Sequence, residues 1–405
     1  MWRGTLILVY ALVLLPVQAD PADKTAEHPL SKVIIAYSSI SGNMAPLWVT
    51  YERGFFSKYG LDVQLVLVAG GSRAAQSLAS GDVTLAQMAG AGVIQSNLRG
   101  ADVIMIAGIL NTMNYQFIVD KNVQRPDQLK GKTLAVSRYG SSSDFAVRFA
   151  LDKYGLVPEK DVRILEIGTQ PERFAALEAR RIQGVMLEVP QSLKAKKLGF
   201  RILVNLKMLG LEYQHTGLAT TSALIKSHPD LIRNVVKAYV EGIHYYKTHR
   251  QESLTVLAKY LKTNDAEALK QIYEDIGLAL VPAKPYPTLK GIDAILREIG
   301  GNEPKARTAM PGQFVDLTFV RELDNSGFID RLYKANPIAV SDKPPRLPVE
   351  PVDYKVKAGD TLSDLAEWFY GSAVKWQRIY DANRKVIGHP NYIFIGQKIT
   401  IPPAV

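Results

Sequence analysis

Residues 70–88 read GGSRAAQSLASGDVTLAQM, and the order of residue types in this stretch decides the fold. Two glycines come first, Arg73–Ala79 has the spacing of a short amphipathic helix, and an apolar strand follows a Gly-Asp turn. A similar order recurs in AALEARRIQGVMLEV at 175–189. A helix that leads through a tight turn into a buried strand, found twice, indicates two α/β units.

The regions around these stretches continue the alternation of strand-length and helix-length segments. The predicted strands are Lys32–Tyr37, Asp62–Val68, Val103–Ile109, Thr133–Val136, Val162–Ile167 and Gly184–Leu187. The predicted helices between them are Ala45–Phe55, Arg73–Ala79, Asp144–Tyr154 and Glu172–Ala179. Such alternation is typical of parallel strands joined by crossover helices. From Pro229 the apolar spacing is that of helices, with one face formed by Leu231, Val235, Val236, Tyr239 and Ile243.

The first residues, MWRGTLILVYALVLLPVQAD, have the features of a secretory leader. One early positive charge, Arg3, precedes an apolar run that is shorter than the about 20 residues of a membrane span. Small residues at Val17 and Ala19 suit cleavage after Ala19. We therefore expect a signal peptide over 1–19 and a periplasmic mature protein, with an uncleaved anchor as the alternative.

Composition limits the partners and the chemistry. The 405 residues are 47% hydrophobic and 22% charged, which is enough apolar material for two or three folding units. The chain has no cysteine, which excludes disulfides, thiolate metal sites and a lipid-modified cysteine. Its net charge of +10 falls to +9 when Arg3 leaves with the leader. In an exported chain with scattered basic residues, this charge favours anionic lipid or an acidic wall polymer over nucleic acid.

A proline-rich stretch, ANPIAVSDKPPRLPVEPVD at 335–353, separates the α/β part from the C-terminal region. Such segments are extended, at roughly 3.1 Å per residue, so we expect a linker over 336–352. Beyond it, YKVKAGD predicts a strand and a turn, and Thr361 with Asp364 fits a capping box. QKITIP predicts a closing strand.

This C-terminal region, through YKVKAGDTLSDLAEWF, YDANRK and HPNYIFIGQKITIP, resembles a lysin-motif (LysM) domain over 353–402. The resemblance implies a small β-α-α-β domain that binds N-acetylglucosamine polymers such as peptidoglycan. By position, two loops would form the carbohydrate groove with Gly359, Asp360, Thr361, Leu362, Asn391, Ile393, Phe394 and Ile395. Ile395 departs from the family, because many relatives have proline there. The alternative is that the apolar members are core residues and the module has lost its sugar.

Three loops of the α/β part follow predicted strands and precede predicted helices: SSISGNM (38–44), GGSR (70–73) and SRYGSSSD (137–144). Backbone N–H groups at helix N-termini, together with serine hydroxyls, can hold a polar ligand there, although each serine could equally cap its helix. The candidate solute-binding residues are Ser41, Gly42, Asn43, Gly71, Ser72, Met88, Asn111, Ser141, Ser142 and Glu188.

The stretches YERGFFSKYGLDVQLV, GGSRAAQSLASGDVTLAQM, GADVIMIAGI and LKGKTLAVSRYGSSSD resemble the nitrate/sulfonate/taurine type of periplasmic solute-binding protein. The resemblance implies an α/β, two-lobed periplasmic binding protein (type II-like) fold over 30–335. Lobe 1 would take in about 30–115 and 210–335, and lobe 2 about 120–205, with crossing segments near 114–120 and 204–216. A small-molecule solute would close the cleft, and the closed form would be presented to an ABC permease in the inner membrane.

Glu188 leaves two interpretations open. If its carboxylate faces the cleft, a zwitterion or a solute with an amine or N–H donor is favoured over a simple inorganic anion. If it faces solvent, it carries no information about the solute.

No pattern for catalysis is present in the sequence. GGSRA lacks the nucleophile-elbow spacing, and the six histidines form no HExxH motif or tight ligand cluster. Relatives of this fold that make a thiamine pyrimidine use histidine and cysteine; the missing cysteine and the export signal leave such an enzyme as the less favoured alternative. We therefore expect no enzyme, no metal and no cofactor.

The sequence predicts the substrate-binding component of an ABC importer for a small organic or anionic solute, held at the cell wall by LysM. A wall-bound sensor or scaffold with a degenerate solute site is the alternative.

Overall fold

The computed structural model of the protein describes residues 31–336 apart from 210 and 302, and then 348, 350–356, 361–370, 372–387, 390, 393 and 397–403. The predicted signal peptide and most of the predicted linker lie outside the described residues. None of the helices in the described ranges is long and apolar enough to cross a membrane.

The described chain contains strands and helices in the order expected for two α/β units. The strands are β1 (Ser31–Tyr37), β2 (Leu61–Leu67), β3 (Leu85–Met88), β4 (Val103–Thr112), β5 (Gln116–Val119), β6 (Thr133–Val136), β7 (Arg163–Glu166), β8 (Gly184–Leu187), β9 (Arg201–Asn205), β10 (Glu212–Thr221), β11 (Val352–Lys355) and β12 (Lys398–Ile401). The helices of the first 205 residues are α1 (Ala45–Glu52), α2 (Phe55–Lys58), α3 (Gly71–Ala79), α4 (Gly90–Leu98), α5 (Ser142–Lys153), α6 (Gln170–Glu178) and α7 (Gln191–Lys197). Those that follow are α8 (Ser222–Ser227), α9 (Pro229–Thr248), α10 (Arg250–Leu261), α11 (Ala266–Gln271), α12 (Leu289–Ile299), α13 (Thr318–Asn325), α14 (Phe328–Ala335), α15 (Leu362–Tyr370) and α16 (Trp376–Ala382).

Two five-stranded sheets form the two lobes. The first has the strand order β2-β1-β3-β10-β4 and the second β7-β6-β8-β5-β9. The chain crosses from the first sheet to the second between β4 and β5, and it returns between β9 and β10. The first lobe is therefore built from two separate stretches of chain, whereas the second lobe is one continuous stretch.

Both sheets are mixed. The strands predicted from the sequence run in one direction within each sheet, as expected, and the strands that run against them are β5 and β10, which are not among the predicted ones. β10 runs antiparallel to β3 and β4, and β5 runs antiparallel to β8 and β9. These are the strands that each begin directly after a crossing between lobes. They enter the sheet from the cleft side, so they run against strands that end there.

Helix α9 joins the helical C-terminal part to the first sheet. Its buried side chains, including Val235, Tyr239 and Ile243, pack against α1 and α2. On α1, Trp48 is fully buried and its ring stacks on Tyr260 of α10, with centroids 4.8 Å apart. This packing fixes the N-terminal end of α1, where the cleft residues begin.

The C-terminal module has its own small core. β11 and β12 pair antiparallel, and the buried side chains Leu362, Leu365, Ile379 and Ile401 belong to a cluster that contains no residue of the two lobes. The amide of Asn383 ties α16 to β12, because it donates to the Thr400 carbonyl at 2.6 Å and accepts from the Thr400 N–H at 2.7 Å. The strand-helix-helix-strand order agrees with the β-α-α-β arrangement expected from the sequence.

Candidate solute-binding cleft

A narrow cleft lies between the two lobes, beside both crossings. It is lined by the 38–44 loop of the first lobe, by the N-terminal ends of α5 and α6 in the second, and by residues 115, 188, 215 and 216. The volume between the lobes that the centre of a water molecule can reach is about 20 Å³. This space is enough for only one or two waters. In this conformation, therefore, the two lobes are closed on each other.

The carboxylate of Glu188, 2% exposed, is the centre of the hydrogen bonds across this cleft. Its Oε1 accepts from Asn43 Nδ2 at 2.7 Å and contacts His215 Nε2 at 2.8 Å, and its Oε2 accepts from Gln170 Nε2 at 2.6 Å. Burial raises the pKa of Glu188, but the hydrogen bond and electrostatic attraction of His215, together with hydrogen bonds from Ser41 and Gln170, outweigh burial and leave that pKa below its usual value. Glu188 thus faces the cleft with its oxygens already bonded to protein donors.

Asn43 links this carboxylate to the first crossing. Its side-chain amide pairs reciprocally with that of Asn114, with Nδ2–Oδ1 distances of 3.1 and 2.9 Å. The backbone carbonyl of Asn43 accepts from Gln87 Nε2 at 2.8 Å. Gln87 Oε1 in turn accepts from the Tyr239 hydroxyl at 2.5 Å. The position of Asn43 is therefore set from the core of the first lobe, although its side chain bonds to the second.

Arg173 places a buried cation against the cleft from α6. The side chain is 2% exposed, and its guanidinium donates to the Gly168 carbonyl at 2.6 Å and, more weakly, towards the Met186 carbonyl at 3.5 Å. Its Nε has no hydrogen-bond partner among the described residues. Burial lowers the pKa of Arg173, and the neighbouring Tyr115 and Glu188 act in the opposite direction.

Hydroxyl groups complete the lining. Tyr115 and Ser142 lie 3.2 Å apart through their oxygens, and burial raises the pKa of the Tyr115 phenol. Thr216 is 4% exposed, and its Oγ1 has no hydrogen-bond partner within the described part of the chain. No group of three or more His, Asp or Glu side chains in that part is arranged to hold a metal ion.

Four of the ten residues proposed from the sequence line the cleft: Asn43, Gly71, Ser142 and Glu188. Ser41 lies just behind them, fully buried, with its hydroxyl 3.1 Å from that of Ser39. The structure therefore brings together members of all three predicted loops.

The other five are not among the residues that line the cleft. A Cβ on Gly42 would lie 2.5 Å from Ile272 Cγ2, the Ser72 hydroxyl donates to the Tyr139 carbonyl at 3.1 Å, and Met88 belongs to a hydrophobic core. Asn111 donates to the Tyr286 carbonyl at 3.2 Å, and Ser141 caps α5 by accepting from the Asp144 N–H at 3.4 Å. Gly42 and Met88 thus have packing roles and Ser141 a capping role, Asn111 bonds within the first lobe, and the Ser72 hydrogen bond joins the two lobes.

Sequence reasoning missed Gln170, Arg173, Tyr115, His215 and Thr216. Gln170 could have been found, because it follows β7 and begins α6 as the predicted loops do elsewhere. Tyr115, His215 and Thr216 lie next to the crossings, where the chain must pass the cleft.

Only part of the predicted carbohydrate groove lies in the described residues. Leu362 is fully buried and Ile393 packs against the module's core, while Thr361 is half-buried and accepts from the Leu365 N–H at 2.9 Å through its carbonyl. Gly359, Asp360, Asn391, Phe394 and Ile395 lie outside the described residues.

Two lobes, two crossings and a polar cleft between them define the class: a two-lobed α/β binding protein with an additional small domain. The chain belongs to the NMT1/THI5-like family, whose sequence model matches residues 41–253, and it contains a LysM domain matched over 354–402. These matches confirm both resemblances drawn from the sequence.

Two relatives and one solved structure illustrate the range of this likeness. The binding protein YtlA of Bacillus subtilis is 26% identical over 259 residues, which cover 62% of this chain and 74% of YtlA. The riboflavin-binding protein RibY of Chloroflexus aurantiacus is 27% identical over 236 residues, 56% of this chain and 65% of RibY. The alkanesulfonate-binding protein SsuA of Xanthomonas axonopodis pv. citri, solved with MOPS bound, superimposes with a TM-score of 0.60 at 17% identity, covering 72% of this chain and 99% of SsuA. At that identity the likeness to SsuA concerns the fold alone.

Proposed function

We propose that this protein is the solute-binding component of an ABC importer, exported to the periplasm and held at the cell wall by its LysM domain. The observation that supports it best is the closed interlobe cleft, whose buried polar atoms on Arg173, His215 and Thr216 have no partner within the described residues. Buried polar atoms are normally hydrogen-bonded, so unpaired ones in a cleft indicate where a solute binds. Closure around that solute would present one defined shape to the permease.

The proposed solute is small and organic or anionic, of the sulfonate, nitrate or taurine kind. Cationic Arg173 and the N-terminal ends of several helices at the cleft support a solute with an anionic or strongly accepting group. The names of RibY and SsuA show that relatives and structural neighbours take organic molecules as different as riboflavin and MOPS.

Peptidoglycan is the proposed wall partner. The LysM match and the separate core of the C-terminal module support a domain that can bind independently of the lobes. Without cysteine the chain cannot carry a lipid on that residue, and tethering to the wall would raise the local concentration of the carrier near its permease.

A thermal-shift screen of the mature full-length protein tests the solute role. The panel is nitrate, small sulfonates, amino acids, pyrimidines and aromatic carboxylates. A solute at a hundred times its Kd should add about 2.7 kcal/mol to the free energy of unfolding. A shift with at least one compound is the expected result, and no shift across the panel would contradict it.

A wall-bound sensor or scaffold is the second candidate. It is favoured by one observation: the Glu188 oxygens are already bonded by Asn43, Gln170 and His215, as in a cleft that closes on itself. It predicts wall binding with no thermal shift from any solute, and no permease gene next to this one.

A further inference from the structure

A second cavity lies where the C-terminal module faces the two lobes. Its volume is about 730 Å³. Ligand sites commonly have volumes of about 300–1,000 Å³, so this cavity has room for a ligand of many atoms. Three of the residues that line it, Thr361, Leu362 and Ile393, belong to the predicted carbohydrate groove of the module. The described part of that groove therefore opens towards the lobes.

The wall opposite the module is formed by both lobes and by the second crossing. Gln116 of β5 and Lys196 of α7 belong to the second lobe, and Gln271 at the end of α11 belongs to the first. Asn205 and Lys207 lie at the crossing between β9 and β10. A ligand in this cavity would therefore touch the module, the crossing and each lobe.

The wall offers side-chain amides to such a ligand. Gln116 and Gln271 are half-buried, and the amide of neither makes a hydrogen bond within the described residues. An amide group both donates and accepts hydrogen bonds. The N-acetyl and hydroxyl groups of an N-acetylated sugar can do the same, so these amides suit a glycan.

The charges of the wall favour a ligand that also has carboxylates. Three acidic residues line it: Glu267, Glu274 and Asp275. All three have partners, which for Glu267 is Lys197 at 2.8 Å and for Glu274 is Arg250 at 3.7 Å. Lys196 and Lys207, by contrast, form no ion pair in the part of the chain that the structure describes. These two cations are therefore available to an anionic ligand.

We infer that the wall polymer binds between the module and the lobes, with its sugars against Gln116 and Gln271 and its carboxylates at Lys196 and Lys207. This inference rests on the proposed wall partner and adds a second binding surface to the module's own groove. Peptidoglycan combines both chemistries, because its N-acetylated sugar chain carries short peptides that end in carboxylates. A neutral polymer of N-acetylglucosamine would pair with the amides and leave the two lysines without a partner.

Two soluble probes of equal sugar length test this with the mature full-length protein. One is a peptidoglycan tetrasaccharide that carries its peptides, and the other is the tetramer of N-acetylglucosamine, which has no carboxylate. By titration calorimetry the peptidoglycan fragment should bind at least about fivefold more tightly, because two exposed ion pairs together contribute about that factor.

A pair of double variants isolates the carboxylate contacts. Lys196→Glu/Lys207→Glu should remove the preference for the peptidoglycan fragment and leave the affinity for the neutral tetramer unchanged. Lys160→Glu/Lys226→Glu makes the same change in net charge at two exposed lysines that do not line the cavity. This control should bind both probes like wild type.

A pair of single variants isolates the sugar contact. Gln271→Ala should weaken both probes by the same factor, about two- to tenfold, because one hydrogen bond is lost in each complex. Gln251→Ala on α10, an exposed position outside the cavity, is the control and should not change either affinity. Melting temperatures without probe show whether each variant is folded.

The possible failures are distinguishable. Equal affinity of the two double variants for the peptidoglycan fragment would overturn the inference, and the module would then bind the wall without the lobes. Gln271→Ala binding both probes as tightly as Gln251→Ala would contradict the contact of the sugar chain with the first lobe. If the wild-type protein binds neither probe and does not co-sediment with peptidoglycan, the proposed wall partner itself is wrong.

Discussion

His215 Nε2 lies 2.8 Å from Glu188 Oε1, and each side chain is only 2% exposed. Glu188 follows β8 in the second lobe, whereas His215 lies on β10 in the first. The contact therefore joins the two lobes directly. The closed form thus depends on a pair of buried groups that water cannot reach.

Glu188→Gln should destabilise the protein by about 2–4 kcal/mol. The amide would place an N–H₂ donor opposite Asn43 and Gln170, which already donate to this position, so donors would face each other without an acceptor. Urea unfolding followed by circular dichroism measures this. Glu178→Gln on the accessible end of α6 is the matched control and should unfold like wild type. Equal midpoints for both variants would show that Glu188 does not hold the lobes together.

Glu188 should also make stability depend on acid. Its folded-state pKa lies below its value of 4.5 in the absence of the fold. The stabilisation is therefore complete above about pH 5 and is lost as the pH falls through 4.5 towards the folded-state pKa. Urea midpoints between pH 6 and pH 3 should fall more steeply for wild type than for Glu188→Gln. Parallel curves would assign acid unfolding to other groups.

Lys247 should make the stability of the protein rise with pH in the alkaline range. Its Nζ donates to the carbonyls of Gly277, Leu278 and Val281 at 2.8, 3.0 and 2.7 Å, and burial lowers its pKa to about 8. Between pH 8 and about 10.5 the unfolded chain holds this proton and the folded one does not, so stability rises with pH.

Lys247→Met leaves three carbonyls without a donor and should lower stability by about 2–4 kcal/mol at pH 7. The rise contributed by Lys247 between pH 7.5 and pH 9.5 should be missing in the variant. Chemical unfolding at several pH values measures both effects. A constant difference between the two proteins over that range would contradict the lowered pKa.

Gly108→Ala should destabilise the first lobe. A Cβ there would lie 2.5 Å from the Tyr286 carbonyl oxygen and 2.6 Å from Pro287 Cα, and these are backbone atoms that cannot move aside. Overpacking of this kind costs about 1–3 kcal/mol. Gly312→Ala, where no heavy atom lies within 4 Å, is the control and should melt like wild type. Equal melting temperatures for Gly108→Ala and Gly312→Ala would contradict the close contact of Gly108 with the 286–287 backbone.

Deleting 350–405 should abolish co-sedimentation with purified peptidoglycan while leaving the unfolding of the lobes unchanged. The reason is that the module's buried cluster shares no residue with the cores of the lobes. Sedimentation that survives the deletion would place wall binding elsewhere. A lower melting temperature of the lobes would mean that the module supports them.

Much of the fold could be predicted because its signals are local. Thr133–Val136 and Gly184–Leu187 are strands with the predicted bounds, since short apolar runs between turns leave little freedom. The predicted helix Ala45–Phe55 is interrupted after Glu52, where Gly54 has a φ of 72°. Strand direction in β5 and β10 was not predictable, because it depends on how the chain crosses between lobes.

The cleft residues were predictable only where they lie at helix starts. Asn43, Gly71 and Ser142 follow strands and precede helices, a pattern that is visible in the sequence. Arg173 lies inside α6 and looks like a surface residue, and only the contact of α6 with the second sheet buries it. His215 lies in an extended strand, and its role depends on Glu188 across the cleft. Which residues bind solute or sugar stays a prediction.

The split of the first lobe determines the order in which a chain that emerges with its N-terminus first can fold. β10 lies between β3 and β4, so the first sheet stays incomplete until residue 221 has emerged. The second lobe uses only 116–205 and can form earlier. Pairings between distant segments form slowly. Until then the exposed edges of β3 and β4 would be the surfaces most in need of protection by chaperones.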